Sequence, residues 1–378
     1  PLEARGASPG LAELYTAQSR LYMMHFLPRE ELAAATRALE VARMVRNDDL
    51  LARAVVRQGY ALISAGRVAE SLQTLEEARR LAESLGDLSC LYLVHSYASV
   101  GRYALGQLEA AVRCAEMALD IAQRLGDPQA TAGALAHRGR SAFLVGDWSR
   151  ARADLEGAMA LVRPSSTTQT FLTAAAFLGE CYLAAGDWDE ATRYLREVIM
   201  VTERGMPNHG RLRQAQGLLA ELDLYHGRPE AARDRLLPLQ AAENTFATWL
   251  RTQLAWAYVE LGELHRALET VARAIAQARA EQHLVRLVDA LRVQAMALAG
   301  LGQLDQAAAA LDEGLALAPA LPYPYGEARL LYLSGLLARQ QGLRQRARER
   351  LAAALSSFRR LGARKDSERT EHVLMALD

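Results

Sequence analysis

The sequence predicts an all-α protein, a solenoid of about nine antiparallel helix pairs with a C-terminal capping helix. Three observations carry that prediction. Glycines return at one register, Gly66, Gly106, Gly146, Gly186, Gly227, Gly262, Gly302 and Gly342, at intervals of 40, 40, 40, 41, 35, 40 and 40 residues. Five residues after each stands a small side chain: Ser71, Ala111, Ala151, Ala191, Ala232, Ala267, Ala307 and Ala347. Two and nine residues after the glycine the positions are mostly large and apolar, as in Val68 and Leu75, Trp148 and Leu155, Leu264 and Val271, or Leu304 and Leu311. Apolar positions at that spacing share one helical face.

The physical reading is two helices folded back on each other in every repeat. The glycine ends the first helix in a left-handed conformation that a Cβ resists. The small residues let the second helix lie close to its neighbours, where a bulkier side chain costs roughly 1–3 kcal/mol through overpacking.

In chain order, residues 1–10 are Pro- and Gly-rich and are expected to be flexible; residues 11–378 are read as one solenoid. Leu11 to His25 forms a first helix and Pro28 opens a second, in which Leu32, Ala35, Leu39 and Ala42 keep the second-helix pattern without a turn glycine. A degenerate end unit is what a solenoid cap requires. Helix pairs are expected near 48–64 and 67–85, 88–105 and 107–125, 128–145 and 147–163, and 168–185 and 187–204. Leu-Gly-Asp at 85–87 and 125–127 supplies a C-cap glycine and then an aspartate N-cap. Ser165, Ser166, Thr167 and Thr168 play the same starting role after Pro164. The irregular unit lies at about 205–242: it enters through Gly205-Met206-Pro207-Asn208, and Pro238 must stop or kink its second helix near Leu237. Regular pairs resume at 244–261 and 263–281, then 284–301 and 303–318. A loop over Pro319–Gly326 precedes 327–341 and 343–361, and Asp366 to Leu377 forms the capping helix, read as carrying a charged outer face.

The pattern resembles the tetratricopeptide repeat. The matching residues are the first-helix glycines (Gly59, Gly139, Gly179, Gly335), the turn glycines, the aromatic after the turn (Trp148, Trp188), the small positions five and twelve residues after the turn glycine (as Ala111 and Ala118, or Ala151 and Ala158), and Pro319 as the terminal proline. The resemblance covers nearly the whole chain, with units of about 40 residues where the basic repeat has about 34. Each helix gains almost a turn, reaching roughly 27 Å for 18 residues. The longer variety resembles the C-terminal repeat regions of bacterial signal-transduction ATPases and large ATP-dependent transcription regulators. The resemblance implies a right-handed superhelix whose first helices line a concave groove holding a protein or peptide. Its recurring groove positions fall on Arg53, Arg57, Tyr60, Tyr97, Tyr103, His137, Arg140, Glu180, Glu221, Trp249, Gln253, Trp256 and Arg292, with Tyr332 and Arg339 last. Arg53, Arg57 and Tyr60 share a helical stripe, as do Trp249, Gln253 and Trp256. Aromatics and arginines of this kind, if exposed, mark contact sites.

Composition narrows the function. The formal net charge is zero, without the broad positive footprint of a nucleic-acid binder, so nucleic acid is not an expected partner. No apolar run approaches the length of a membrane span. Cys90, Cys114 and Cys181 are odd in number and lack disulfide or metal spacing, which fits small core residues in a reducing, cytoplasmic setting. The start at Pro1 suggests an excised or processed piece. Lys365 is the only lysine, so no Gly-Lys-Ser/Thr phosphate loop exists, and no HExxH or Gly-x-Ser-x-Gly motif occurs. No cofactor, metal or catalytic residue is therefore expected. The expected function is non-catalytic binding of a protein or ligand, in the sensor or regulatory arm of a larger cytoplasmic bacterial signalling ATPase or transcription regulator. A small-molecule effector is a further occupant to consider. A free-standing adaptor that assembles two proteins is the alternative.

Overall fold

A computed structural model of the chain describes residues 6–162, 169–205, 209–240, 246–317 and 321–377. The described residues form nineteen α-helices and no strand. They run as nine hairpins: α1 (Pro9–Met24) with α2 (Pro28–Val45), α3 (Asp48–Ser64) with α4 (Val68–Leu85), and α5 (Leu88–Ala104) with α6 (Leu108–Leu125). Next come α7 (Pro128–Leu144) with α8 (Trp148–Leu161), α9 (Gln169–Ala185) with α10 (Trp188–Gly205), and α11 (Gly210–Tyr225) with α12 (Pro229–Leu236). The last are α13 (Ala247–Glu260) with α14 (Leu264–Ala280), α15 (Leu284–Gly300) with α16 (Leu304–Leu317), and α17 (Pro324–Gln340) with α18 (Arg344–Leu361), followed by α19 (Arg364–Met375). Among the described residues no helix is long and apolar enough to cross a membrane.

Local chemistry sets these boundaries. Asn47 Oδ1 accepts the Leu50 N–H and Asp87 Oδ1 that of Cys90, each at 3.0 Å, so both side chains satisfy a free helix-start donor. At the irregular unit Pro238 lacks the N–H that would continue α12, and the chain tightens into a 3₁₀ turn over Leu237–Leu239. The small positions are fully buried, including Ala151, Ala191, Ala232, Ala267, Ala307 and Ala347, and Cys90, Cys114 and Cys181 are buried as well. The first-helix glycine has its own reason. A Cβ on Gly179 would lie 2.6 Å from Leu195 Cδ2, and Gly59 and Gly335 meet Leu75 and Leu351 in the same way. Each of those leucines stands nine residues after its turn glycine, so one helix drives a leucine into the gap that the other leaves.

Boundaries differ from expectation most at four helix starts, among them α13, which begins at Ala247 and not at 244. α1 starts at Pro9, because Ser8 Oγ accepts the Leu11 N–H at 3.3 Å and proline suits the first helical position. α17 likewise starts at Pro324, inside the expected loop. α19 starts at Arg364, two residues early. Pro164 to Thr168, Met206-Pro207-Asn208 and Pro319 lie outside the described residues.

The backbone groups into two compact units. One comprises Pro1–Ser141, Asp154–Ala174 and Val201–Leu212, the other Ala142–Ala153, Ala175–Met200 and Arg213–Asp378. In the first, the turn between α1 and α2 reaches the start of α11: the Phe26 ring sits edge-on to His209, with centroids 5.9 Å apart, and covers Gly210. Phe26 stands 40 residues before Gly66, in the turn-glycine register, and holds φ at +54°. In the second unit, C-terminal residues return to earlier turns. Leu361 and Pro324 cover Gly146, Tyr325 packs against Trp148 at 5.3 Å, and Lys365 covers Gly186 while Arg364 pairs with Asp187. The expected charged outer face of α19 is corrected in part: Asp366, Ser367 and Thr370 are buried, and Tyr325 donates its hydroxyl to Asp366 Oδ2 at 2.9 Å.

Candidate functional site

The first helices of the hairpins place polar and aromatic side chains inside each unit. In the first unit, Arg57 of α3 pairs with Glu31 of α2, and both are buried. The Arg57 guanidinium lies 4.8 Å over the Tyr60 ring, whose centroid is 4.5 Å from that of Tyr97. Ser19 Oγ donates to the Glu31 carbonyl at 3.1 Å. Burial pushes the Glu31 carboxyl up to about 6, outweighing the Arg57 charge and the hydrogen bonds from Ser64 and Arg57. Burial, seconded by the Glu31 charge, pushes Tyr60 up to about 12. Nearby, Arg140 lies 5.4 Å over the Tyr103 ring. Burial and the Arg211 charge pull His137 down to about 4, which keeps its ring neutral at physiological pH.

The second unit holds a larger cluster. Glu221 of α11 accepts Gln253 Nε2 from α13 at 2.6 Å and Arg329 Nη2 from α17 at 3.1 Å. Trp256, two turns beyond Trp249 on α13, lies beneath two arginines, Arg292 of α15 at 4.5 Å and Arg329 at 5.5 Å. Arg286 takes the same position over Trp249 at 5.3 Å. Burial, then the neighbouring Arg329 charge, pull Arg292 down to about 10, and burial pushes the Asp289 carboxyl up. Farther along, Arg369 of α19 lies 4.7 Å over Tyr332 and pairs with Asp366 at 2.6 Å.

The sequence-derived residues thus fall into two sets. Arg57, Tyr60 and Tyr97 are brought together, with Arg140 beside Tyr103; Glu221, Gln253, Trp256 and Arg292 form the other group, and Trp249 adjoins it through Arg286. The exposed stripe is a correction. Arg57, Arg140, Glu221, Trp249, Gln253, Trp256 and Arg292 are buried, and Tyr60, Tyr97, Tyr103, His137 and Glu180 are half-buried. The reason is that first helices of successive hairpins approach closely enough for their inner side chains to partner one another. Glu180 accepts Gln214 Nε2 at 3.4 Å. Arg53 is exposed and its charge acts on Asp87 and Cys90 instead; Arg339 is exposed as well.

Sequence reasoning missed Glu31, Asp289 and Arg329. Arg329 had a signal: it stands thirteen residues before Gly342, as Arg53, Trp249 and Asp289 stand before Gly66, Gly262 and Gly302. Starting α17 at 327 put Arg329 in a first turn and hid that register. Glu31 had none, because an acidic residue in the first turn of α2 reads as a dipole partner at a helix start. Among the described residues no group of three or more His, Cys, Asp or Glu side chains could hold a metal ion.

Helical hairpins of 40 residues, registered by turn glycines and lined inside by aromatics and paired charges, define a tetratricopeptide-type α-solenoid. Within that class, the chain belongs to the MalT-like TPR region family, whose model matches residues 12–325. No curated protein sequence matches it significantly. Similar solved structures include a tetratricopeptide repeat protein from Parabacteroides merdae, 15% identical, covering 75% of this chain and 99% of that one at a TM-score of 0.44. The Rap protein complexed with Competence and Sporulation Factor is 11% identical over 97% of each chain, with a TM-score of 0.46. Yeast Tom70 is 13% identical over 98% of this chain and 89% of its own, at 0.41.

Proposed function

We propose that the chain is a recognition module acting as the sensor or regulatory arm of a larger cytoplasmic bacterial regulator, with the inner faces of its first helices as the binding surface. Family membership supports the module. The observation that carries the binding surface is the chemistry inside each unit. A fold that needed only stability would fill those positions with aliphatic side chains, since a buried ion pair is often no better than a well-packed apolar replacement. Here Glu31 with Arg57, and Glu221 with Arg329, are buried pairs backed by aromatic rings. Partners are proteins, peptides or small effectors that exchange for these internal contacts. Exchange alters the packing of neighbouring hairpins, and the attached effector reads that change.

The adaptor reading differs in what the gene encodes around this region. An ATPase or DNA-binding domain in frame with residues 1–378 supports the regulatory arm; a reading frame without one, together with two proteins bound at once, supports the adaptor. The binding surface is tested separately with Arg57→Glu and Trp256→Ala, scored by partner affinity and melting temperature. Unchanged affinity in a folded double variant removes the inner faces from the site.

A further inference from the structure

The zero net charge is an average over two unequal parts. Residues 339–378 carry ten basic and five acidic side chains, and residues 1–338 carry thirty-four and thirty-nine, a division of +5 and −5. Most of the basic excess lies on α18, whose six arginines fall on two stripes at helical spacing. One stripe holds Arg344, Arg348 and Arg359 and is engaged with the C-terminal residues: Arg344 donates to the Leu377 carbonyl, and Arg359 pairs with Glu371 at 2.8 Å. The other holds Arg346, Arg350 and Arg360. Arg346 and Arg360 are exposed and Arg350 is half-buried, and among the described residues none of the three forms an ion pair. Glu349, the acid nearest in sequence, accepts Gln345 Nε2 at 2.8 Å instead.

Helix stability does not account for this stripe. α2, α4, α6, α10, α12 and α16 carry an acidic residue in the first turn, which complements the positive end of the helix dipole. α18 opens instead with Arg344 and Arg346, and Leu343 before them supplies no side-chain cap. Arg346 and Arg350 are also like charges one turn apart, which weakens a helix. Both costs stand in the free protein, and an anion laid along the face relieves both.

We infer that the stripe of Arg346, Arg350 and Arg360 is a docking surface for the phosphate backbone of duplex DNA, engaged without regard to base sequence. From Arg346 to Arg360 it runs roughly 21 Å, a length over which a duplex presents roughly twelve phosphates. Between the arginines the same face carries Ala353 and Ser357, small enough for a backbone to approach, and the serine adds a hydroxyl donor. A lipid surface fits less well. An interfacial helix sinks its apolar face into the bilayer, and that of α18, with Leu351, Ala354 and Phe358, is already buried in the fold. A protein partner fits less well too, since the stripe offers no aromatic or large aliphatic anchor. Phosphate contacts need charge and hydrogen-bond donors alone. The surface belongs to a second helix and is independent of the inner first-helix faces proposed above.

The test is fluorescence anisotropy of a labelled DNA duplex of arbitrary sequence, titrated with the full chain at two sodium chloride concentrations. Three phosphate contacts predict about a fortyfold loss of affinity between about 50 and 200 mM salt. Arg346→Gln, Arg350→Gln and Arg360→Gln together abolish binding and melt no lower than wild type, since no internal partner is lost. Each substitution alone lowers the salt slope by about one. Removing three exposed arginines from other helices, with Arg113→Gln, Arg152→Gln and Arg196→Gln, leaves binding unchanged. Folded Arg57→Glu with Trp256→Ala also binds the duplex as wild type does, which separates this surface from the inner faces. The inference is overturned if wild type does not bind by roughly 10⁻⁴ M at the lower salt. It is overturned if the control triple variant loses as much affinity as the stripe variant, or if the stripe variant melts well below wild type. A polyglutamate peptide or a phosphatidylserine vesicle that binds the same three arginines more tightly than the duplex overturns it in favour of an acidic protein or a membrane surface.

Discussion

Replacing Arg57 with methionine separates a structural counter-ion from a binding residue, and its cost is fixed by the protonation of Glu31. In the intact protein burial holds the Glu31 carboxyl at about 6, against 4.5 for the free side chain, even with Arg57 beside it. At 1.36 kcal/mol per pKa unit, that difference amounts to about 2 kcal/mol. The folded pKa lies above the unfolded one. The associated stability is thus complete below about pH 4.5 and is lost as pH rises through about 6. Arg57→Met removes the charge and the hydrogen bond that restrain this rise, so the Glu31 pKa climbs further. Near neutral pH the variant must then bury a lone carboxylate or take up a proton, and it loses about 3–5 kcal/mol, the usual cost of breaking a buried pair. At about pH 5 Glu31 is protonated in both proteins and the loss falls to about 1–2 kcal/mol, that of the surviving contacts. Urea-denaturation midpoints near pH 5 and near pH 7.5 measure the difference. Arg57→Met with Glu31→Gln recovers most of the neutral-pH loss, because no charge is left to strand. Equal losses at both pH values, or a double variant no more stable than Arg57→Met, refute the reasoning.

Two other predictions concern packing. Gly179→Ala places a Cβ 2.6 Å from Leu195 Cδ2 and lowers stability by about 1–3 kcal/mol; Leu195→Ala in the same chain makes the alanine at 179 nearly neutral, as calorimetry of the four variants will show. Gly210→Ala directs a Cβ into the Phe26 ring, 1.9 Å from Cζ, and destabilises by about 1–3 kcal/mol. In a Phe26→Gly background, where the left-handed turn is relaxed and the ring is gone, the same substitution has little effect on the melting temperature.

The legible part of this protein was what repeats. A turn glycine, a small residue five positions on and an apolar residue nine positions on are local requirements of one hairpin, and every hairpin restates them. Helix boundaries followed to within about three residues, and two of the larger misses fall where a proline opened a helix that composition made look like a loop, at Pro9 and Pro324. The candidate site was legible only as a set of positions. Arg57 and Tyr60, or Gln253 and Trp256, share a face because of helical spacing, but spacing says nothing of how near the next first helix comes. That distance turned an expected open stripe into buried clusters, and it brought in Glu31 and Arg329 from elements 26 residues before Arg57 and 108 after Glu221.

By itself the sequence determined the kind of element, the repeat length and the break at Pro238, since each depends on backbone conformation and on side chains within one hairpin. Tertiary structure alone decided which charges are paired, that Phe26 occupies a glycine's place to cover Gly210, and that Arg292 lies over the Trp256 ring. Those outcomes depend on contacts between residues far apart in the chain. Burial sets the cost of each charge there, and burial has no signature in a linear pattern.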